Sequence, residues 1–318
     1  MQSTTNLIII DKIERFNKEQ LLRLKSVGNV VFPPLSQNPL SKLRPSTYIE
    51  DAVIALNPDE WRWSLTAADM QPFTTLTSIC LPTTSFEWVD TAYCKQNNII
   101  ITNTPNYSTE AVAEYAIWMM FSLVRKLPLM LSGTIKNYND LSLQTEVKGK
   151  VAGIIGLGHV GTRIAEFCDR LGMKVIYTSR TTKDTFFEKV SLDQLLKKAD
   201  FIFPCFAIDK ETTKLLTKKQ CETINNTAYF ISIISSTVFA TKYLEKRVRN
   251  GTLAGLAYES PTLRRVKVNI FTPPIVCLVF KRGTYPLLRF MDQYNHCRRT
   301  RKSNKCCWLI NQNLKHKV

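Results

Sequence analysis

Val151-Ala-Gly-Ile-Ile-Gly-Leu-Gly-His-Val-Gly161 is the stretch on which the fold turns. The chain has only eleven glycines in 318 residues, and six of them fall between Gly149 and Gly172. Glycine used so sparingly and then crowded marks a place where the backbone comes close to something. Within the crowd, Gly156, Gly158 and Gly161 spell G-x-G-x-x-G. An apolar, strand-like run from Val151 to Ile155 precedes them, and Thr162 to Leu171 follows. Val160, Ile164, Cys168 and Leu171 recur there at helical spacing.

Three glycines at these offsets also occur by chance in loops; between a strand and a helix they have a mechanism. Gly156 turns the chain off the strand, Gly158 leaves room for a pyrophosphate, and Gly161 lets the helix pack closely. The helix N-terminus then presents free N–H groups to the anion, with His159 and Val160 in its first turn. The competing reading is a tight strand-turn-helix junction without a ligand. The ribose-binding residue of such a fingerprint belongs at the end of the next strand, about 20 residues on. That strand is Met173 to Thr178, and its tip reads Ser179-Arg180-Thr181-Thr182-Lys183. No carboxylate is there to accept from a 2′-hydroxyl, whereas a hydroxyl and a guanidinium suit a 2′-phosphate. NADP(H) is therefore favoured over NAD(H), against the alternative of a solvated basic loop.

Length and composition bound the rest. At 318 residues and 44% apolar, the chain predicts two domains. Ala111 to Val124 is the most apolar stretch, too short to span a bilayer and interrupted by Glu114. The N-terminus lacks the basic and long apolar regions of a signal peptide. Nine cysteines without C-x-x-C pairs read as reduced, mostly buried thiols of a cytoplasmic protein, and three histidines make a metal site improbable. The net charge of +17 is uneven: Lys281 to Val318 holds ten Lys or Arg against Asp292 alone. No nucleic-acid motif accompanies it, so nucleic acid is not an expected partner.

Before the glycine motif, Asn6–Ile10, Asn29–Phe32, Ala52–Leu56, Ser78–Leu81 and Asn98–Asn103 read as strands, with helices at Glu19–Ser26 and Val89–Gln96. Ser108 to Val124 predicts a long helix, apolar enough all round to be buried between domains or subunits. After the motif, helices at Val190–Lys198, Thr217–Thr223 and Thr241–Arg249 alternate with strands at Asp200–Cys205, Thr227–Ile233, Leu253–Tyr258 and Asn269–Phe271. The expected class is α/β, with doubly wound parallel sheets.

Gly149-Lys-Val-Ala-Gly-Ile-Ile-Gly-Leu-Gly-His-Val-Gly161, with Asn103-Thr-Pro105, Ala111-Val-Ala-Glu-Tyr-Ala116 and Leu253-Ala-Gly255, resembles the D-isomer-specific 2-hydroxyacid dehydrogenases. The resemblance runs from about Cys80 to Ile275 and more weakly through the first third. It implies two doubly wound domains: a flavodoxin-like substrate domain over residues 1–105 and a Rossmann NAD(P)-binding domain over 106–280. A basic tail, 281–318, stands where the family returns to the substrate domain. It also implies hydride transfer between NAD(P)H and a small 2-keto or 2-hydroxy acid, and a homodimer. Cofactor contacts carried over are Gly156, Gly158, His159, Val160, Gly161, Ser179, Arg180, Thr181, Phe206, Ala207 and Glu259. Thr83, Thr84 and Ser85 match the loop whose main chain holds the substrate carboxylate.

Family chemistry needs an arginine for the carboxylate and carbonyl, a histidine for the hydroxyl proton, and a glutamate to partner the histidine. Ser235 occupies the arginine's place, Arg264 the glutamate's and Pro274 the histidine's. His296 and His316 lie in the tail and are poor substitutes. Arg298-Arg-Thr-Arg-Lys302 and Cys306-Cys307-Trp308 show no sustained period, so the tail reads either as a basic arm or, preferably, as sequence from a shifted reading frame. Two functions stay open: a dehydrogenase of altered or lost activity, and a catalytically silent dinucleotide-binding sensor, regulator or scaffold.

Overall fold

The computed structural model describes residues 5–35, 40, 52–137, 144–208, 211–260 and 267–273. Arg264, Pro274 and the tail from Lys281 lie outside the described residues. The chain divides into two units, with the boundary between Tyr107 and Ser108.

In the first unit, β1 (Thr5–Ile10), β2 (Gly28–Val31), β3 (Ala52–Leu56), β4 (Leu76–Cys80) and β5 (Ile100–Thr102) form a parallel sheet in the order β2-β1-β3-β4-β5. Alternate residues of β1 feed separate cores. Leu7 and Ile9 join Phe16 and Leu24 on one face, while Ile8 and Ile10 join Leu40, Met70 and Ile79 on the other. A strand buried on both faces reads as a continuous apolar run, and Leu-Ile-Ile-Ile is such a run. Helix α1 (Lys18–Lys25) starts at a reciprocal cap between Asn17 and Gln20. Two further helices are α2 (Ala67–Met70) and α3 (Thr91–Gln96). Only α2 lacks a sequence signal, because four residues are too few to show a period.

The second unit opens with α4 (Thr109–Val124) and α5 (Leu127–Leu131). It continues through β6 (Val151–Ile155), α6 (His159–Arg170), β7 (Lys174–Thr178), β8 (Glu188–Lys189), α7 (Leu192–Lys198) and β9 (Phe201–Pro204). The last elements are α8 (Lys218–Glu222), β10 (Tyr229–Ser232), α9 (Thr241–Arg249), β11 (Gly255–Tyr258) and β12 (Ile270–Phe271). All seven strands are parallel, in the order β12-β11-β10-β9-β6-β7-β8. The order reverses between β6 and β9, which makes a crevice at the carboxyl end of β6. Ala152, Ile154, Phe203 and Ile231 pack under α4 and α6; Ile155, Ile202, Phe230 and Leu256 pack under α7 and α9. At the opposite end, the Asp200 carboxylate accepts from the Val151 N–H at 2.9 Å.

Within the second unit, Ala113, Ala116, Met119, Met120 and Leu123 of α4 are fully buried, and the helix packs against α6, β10, β11 and β12. Trp118 stays 45% exposed, stacked on Tyr115 and edge-on to Phe271. The cysteines follow their sequence reading where they are described: Cys80, Cys94, Cys168, Cys205 and Cys221 are free, and all but Cys205 are buried. Burial pushes the Cys94 thiol up to about 11 and that of Cys168 up to about 12. No helix among the described residues is long and apolar enough to cross a membrane.

Arg247 is the buried polar centre of the second unit. Its guanidinium donates to the carbonyls of Cys221 and Ile224 and to the Asn226 side chain, each at 2.8 Å, and to the Thr252 carbonyl. It thereby ties the end of α8 to the end of α9. In Arg247→Leu these acceptors keep no charged donor, and denaturant unfolding should show a loss of about 2–4 kcal/mol; a loss under about 0.5 kcal/mol would remove Arg247 from this role.

Candidate functional site

The glycine turn leaves β6 at Gly156, whose φ of +96° only glycine adopts easily. A side chain at Gly156 is also forbidden by space, since a Cβ would lie 2.9 Å from the backbone of Phe206. Gly161 is constrained still more tightly: its Cβ would fall 2.1 Å from the Gly156 carbonyl oxygen. That contact seats the first turn of α6 on the end of β6, with the Gly156 N–H donating to the Thr178 carbonyl at 2.8 Å. Gly158 differs from both. It caps α6 with a φ of −87°, is exposed, and a Cβ there would meet nothing within 4 Å. No acidic residue stands in the first turn of α6, and exposed His159 and half-buried Val160 follow. The result is an open, anion-compatible helix start beside a turn locked from below.

Beyond β7, the Ser179 hydroxyl donates to the Thr181 carbonyl. The Arg180 guanidinium lies 3.4 Å from the Glu211 carboxylate, which comes from the loop after β9. Lys183 is anchored through its N–H to the Tyr177 hydroxyl at 3.3 Å. Phe206 and Ala207 begin the β9 loop; Phe206 backs Gly156, and the Ala207 carbonyl accepts from the buried Thr212 hydroxyl at 2.7 Å. After β10, exposed Ser235 caps the short turn Ser236–Val238, its oxygen 2.8 Å from the Thr237 hydroxyl. Half-buried Glu259 follows β11. Beside it, the Ser260 N–H donates to the Pro273 carbonyl.

In the first unit, residues 81–86 leave the carboxyl end of β4. The carbonyls of Thr83, Thr84 and Ser85 are all engaged: Thr83 by the Thr104 N–H at 2.9 Å, and Thr84 by the Asn103 amide at 2.7 Å. Ser85 accepts from the Thr83 hydroxyl at 2.8 Å and the Trp88 indole at 3.2 Å. With the acceptors tied down, the N–H groups of Thr84 and Ser85 meet no acceptor among the described residues. A loop held by its carbonyls with N–H groups to spare can bind an anion. Trp63, in a left-handed conformation (φ +48°), packs edge-on against Trp88 beside it.

Residues 117–261 match the family model for the D-isomer specific 2-hydroxyacid dehydrogenase, NAD binding domain. The matched residues belong to the NAD binding domain of the D-isomer-specific 2-hydroxyacid dehydrogenase family. Among its relatives, the glyoxylate reductase of Thermococcus gammatolerans is 29% identical over 184 residues, 54% of this chain and 55% of that protein. That of Thermofilum pendens is 27% identical over 240 residues, 72% of this chain and 68% of that protein. The match thus spans about half the length of the first of these relatives. Solved structures share the fold. An acyclic imino acid reductase in complex with NADPH and D-Arg superposes with a TM-score of 0.77 at 19% identity, covering 95% of this chain and 99% of that one. The D-lactate dehydrogenase of Aquifex aeolicus, complexed with NAD and lactic acid, gives 0.73 at 19% identity over 94% and 96%.

The glycine turn fits the NAD binding domain of this family: a Cβ at Gly158 would meet nothing within 4 Å, which leaves room for a pyrophosphate. Ser235, which the sequence resemblance sets in the place of an arginine, is engaged as a turn cap. The sequence missed Glu211, which no motif marks because the strand order alone brings it to Arg180. It also missed the Asn103 clamp, visible only once β4 and β5 are paired, and the Trp88 clamp, a bond within the loop itself that no motif marks. The three glycines can be separated experimentally. Gly158→Ala should fold with stability within about 0.5 kcal/mol of the parent and bind NADPH at least about tenfold more weakly. Gly161→Ala should lose roughly 2 kcal/mol or more of folding stability. Equal NADPH affinity in Gly158→Ala and the parent would remove the pyrophosphate from this position.

Proposed function

We propose that this chain binds NADP(H) in preference to NAD(H) and is an oxidoreductase of the D-2-hydroxyacid dehydrogenase type, acting on a small 2-keto or 2-hydroxy acid. The observation that carries the reading is Gly158, where an added Cβ would meet nothing within 4 Å, between two glycines packed against backbone. The N–H groups at the start of α6 hold the pyrophosphate, and Ser179 and Arg180 receive the 2′-phosphate, with Thr181 closing the turn. Phe206, Ala207 and Glu259 border the same sheet edge. When bound, the nicotinamide supplies or takes the hydride.

The substrate carboxylate is held by the Thr84 and Ser85 N–H groups, with Thr83 bracing them through its hydroxyl bond to Ser85. In the second unit, Ser235 brings no positive charge to the position where the resemblance implies an arginine, and its hydroxyl is engaged with Thr237, which argues for slow turnover. A second reading, a catalytically silent sensor or scaffold, is favoured by the same Ser235 and by the residues at the other two catalytic positions, Arg264 and Pro274. Reduced thiols fit a cytoplasmic setting.

Titration of NADPH and NADH against tryptophan fluorescence, followed by NADPH oxidation assays with glyoxylate, hydroxypyruvate and bulkier 2-keto acids, separates these readings. Tight NADPH binding with turnover supports the enzyme. Binding without turnover overturns it in favour of the silent relative, and no binding overturns both.

A homodimer is part of the proposal. Trp118 and α5 both pack on β12, and Trp118 with Met130 and Leu131 of α5 is exposed. An apolar patch of this kind suits a second copy of the chain. Light scattering should give twice the chain mass, falling to one chain mass in Trp118→Asp; a monomeric parent would refute the dimer.

A further inference from the structure

The tip of β7 and the loop after β9 are joined by an ion pair that the packing of the sheet does not require. Arg180 and Glu211 meet at 3.4 Å with both side chains mostly in water. Strand order β9-β6-β7 places these two loops on either side of β6, so the pair stands beside the end from which the glycine turn leaves. Glu211 is not loosely placed. It precedes the short turn Thr212–Lys214, and Thr212 is buried and bonded back to the Ala207 carbonyl. Arg180 is likewise set by a strand end, one residue past Ser179, whose hydroxyl bonds the Thr181 carbonyl. No carboxylate occurs from Ser179 to Lys183. Glu211 therefore brings to this corner the acid that the β7 tip lacks.

We infer that Glu211 is a specificity-determining residue for the cofactor, competing with a 2′-phosphate for Arg180 and accepting from a 2′-hydroxyl. The inference rests on the reading that Ser179 and Arg180 face the adenosine ribose. A 2′-phosphate carries close to two negative charges, so to bind Arg180 it must displace a carboxylate and then sit beside it. A 2′-hydroxyl needs no such displacement; the Glu211 carboxylate accepts its hydrogen bond while Arg180 keeps its partner. The pair thus moderates NADP(H) preference and preserves NAD(H) binding, a balance that neither residue gives alone. Because both groups are exposed, the effect is modest and screened by salt.

The test is the ratio of NADPH to NADH dissociation constants for the full chain, read by tryptophan fluorescence at low and high salt. Glu211→Gln should tighten NADPH by about two- to fivefold, leave NADH equal or weaker, and lose much of this gain in high salt. Arg180→Ala should weaken NADPH by a similar factor with NADH little changed. If Arg180→Ala weakens NADPH but Glu211→Gln leaves the ratio unchanged, the Glu211 inference is overturned while the ribose reading stands. If neither variant moves the ratio, or the parent binds neither cofactor, both fall. Glu211 is exposed, so Glu211→Gln should fold as the parent does, and an unchanged melting curve checks it.

Discussion

The contact between Gly161 and the carbonyl of Gly156 is the constraint from which the rest of the second unit follows. Any side chain at Gly161 would drive into backbone, so α6 can start where it does only because none is present. That start brings Ile164, Ala165 and Cys168 onto the sheet, and it fixes the turn by which β6 hands over to α6. The reversal of strand order at β6 then opens the crevice directly in front of this turn. Packing and ligand geometry are set by one close approach.

Cradle and catalytic edge diverge because they answer to different physics. Gly156 and Gly161 are demanded by the fold itself. The residues that would supply charge at the carboxyl ends of β10 and β11 are not. Ser235 satisfies its surroundings well, capping the turn Ser236–Val238, and an arginine there would contribute little to folding. The side chain at this position can vary without disturbing the sheet, so the dinucleotide-binding architecture places no demand on what stands there.

What the sequence made legible was long or periodic. Apolar runs at β1, β3 and β6 and the periodic α6 and α9 stand in the structure close to where their residues place them. Short elements were not legible: α2 and α5 have four and five residues, and β8 only two, too few for periodicity to speak. Helix α4 was recognised as apolar, but the elements it packs on within its unit were not, since apolarity says that a surface is covered and not by what. Contacts made by topology alone were equally silent. Glu211 reaches Arg180 and Asn103 reaches the Thr84 carbonyl only through the order of the strands.

These distinctions change which residue bears on function. Gly156 and Gly161 would be needed in a ligand-free junction of the same shape, and Gly153 too, where a Cβ would press on Leu195 and Ala199. Their presence therefore argues fold. Gly158 is different: its backbone is in an ordinary conformation, space surrounds it, and at a helix N-cap a serine or aspartate would give α6 a side-chain bond that glycine cannot. Folding gains nothing from glycine at that position. What glycine does provide is unobstructed access to the N–H groups at the start of α6, which matters only to something arriving from solvent. The case for a bound dinucleotide thus rests less on the three-glycine pattern than on its middle member.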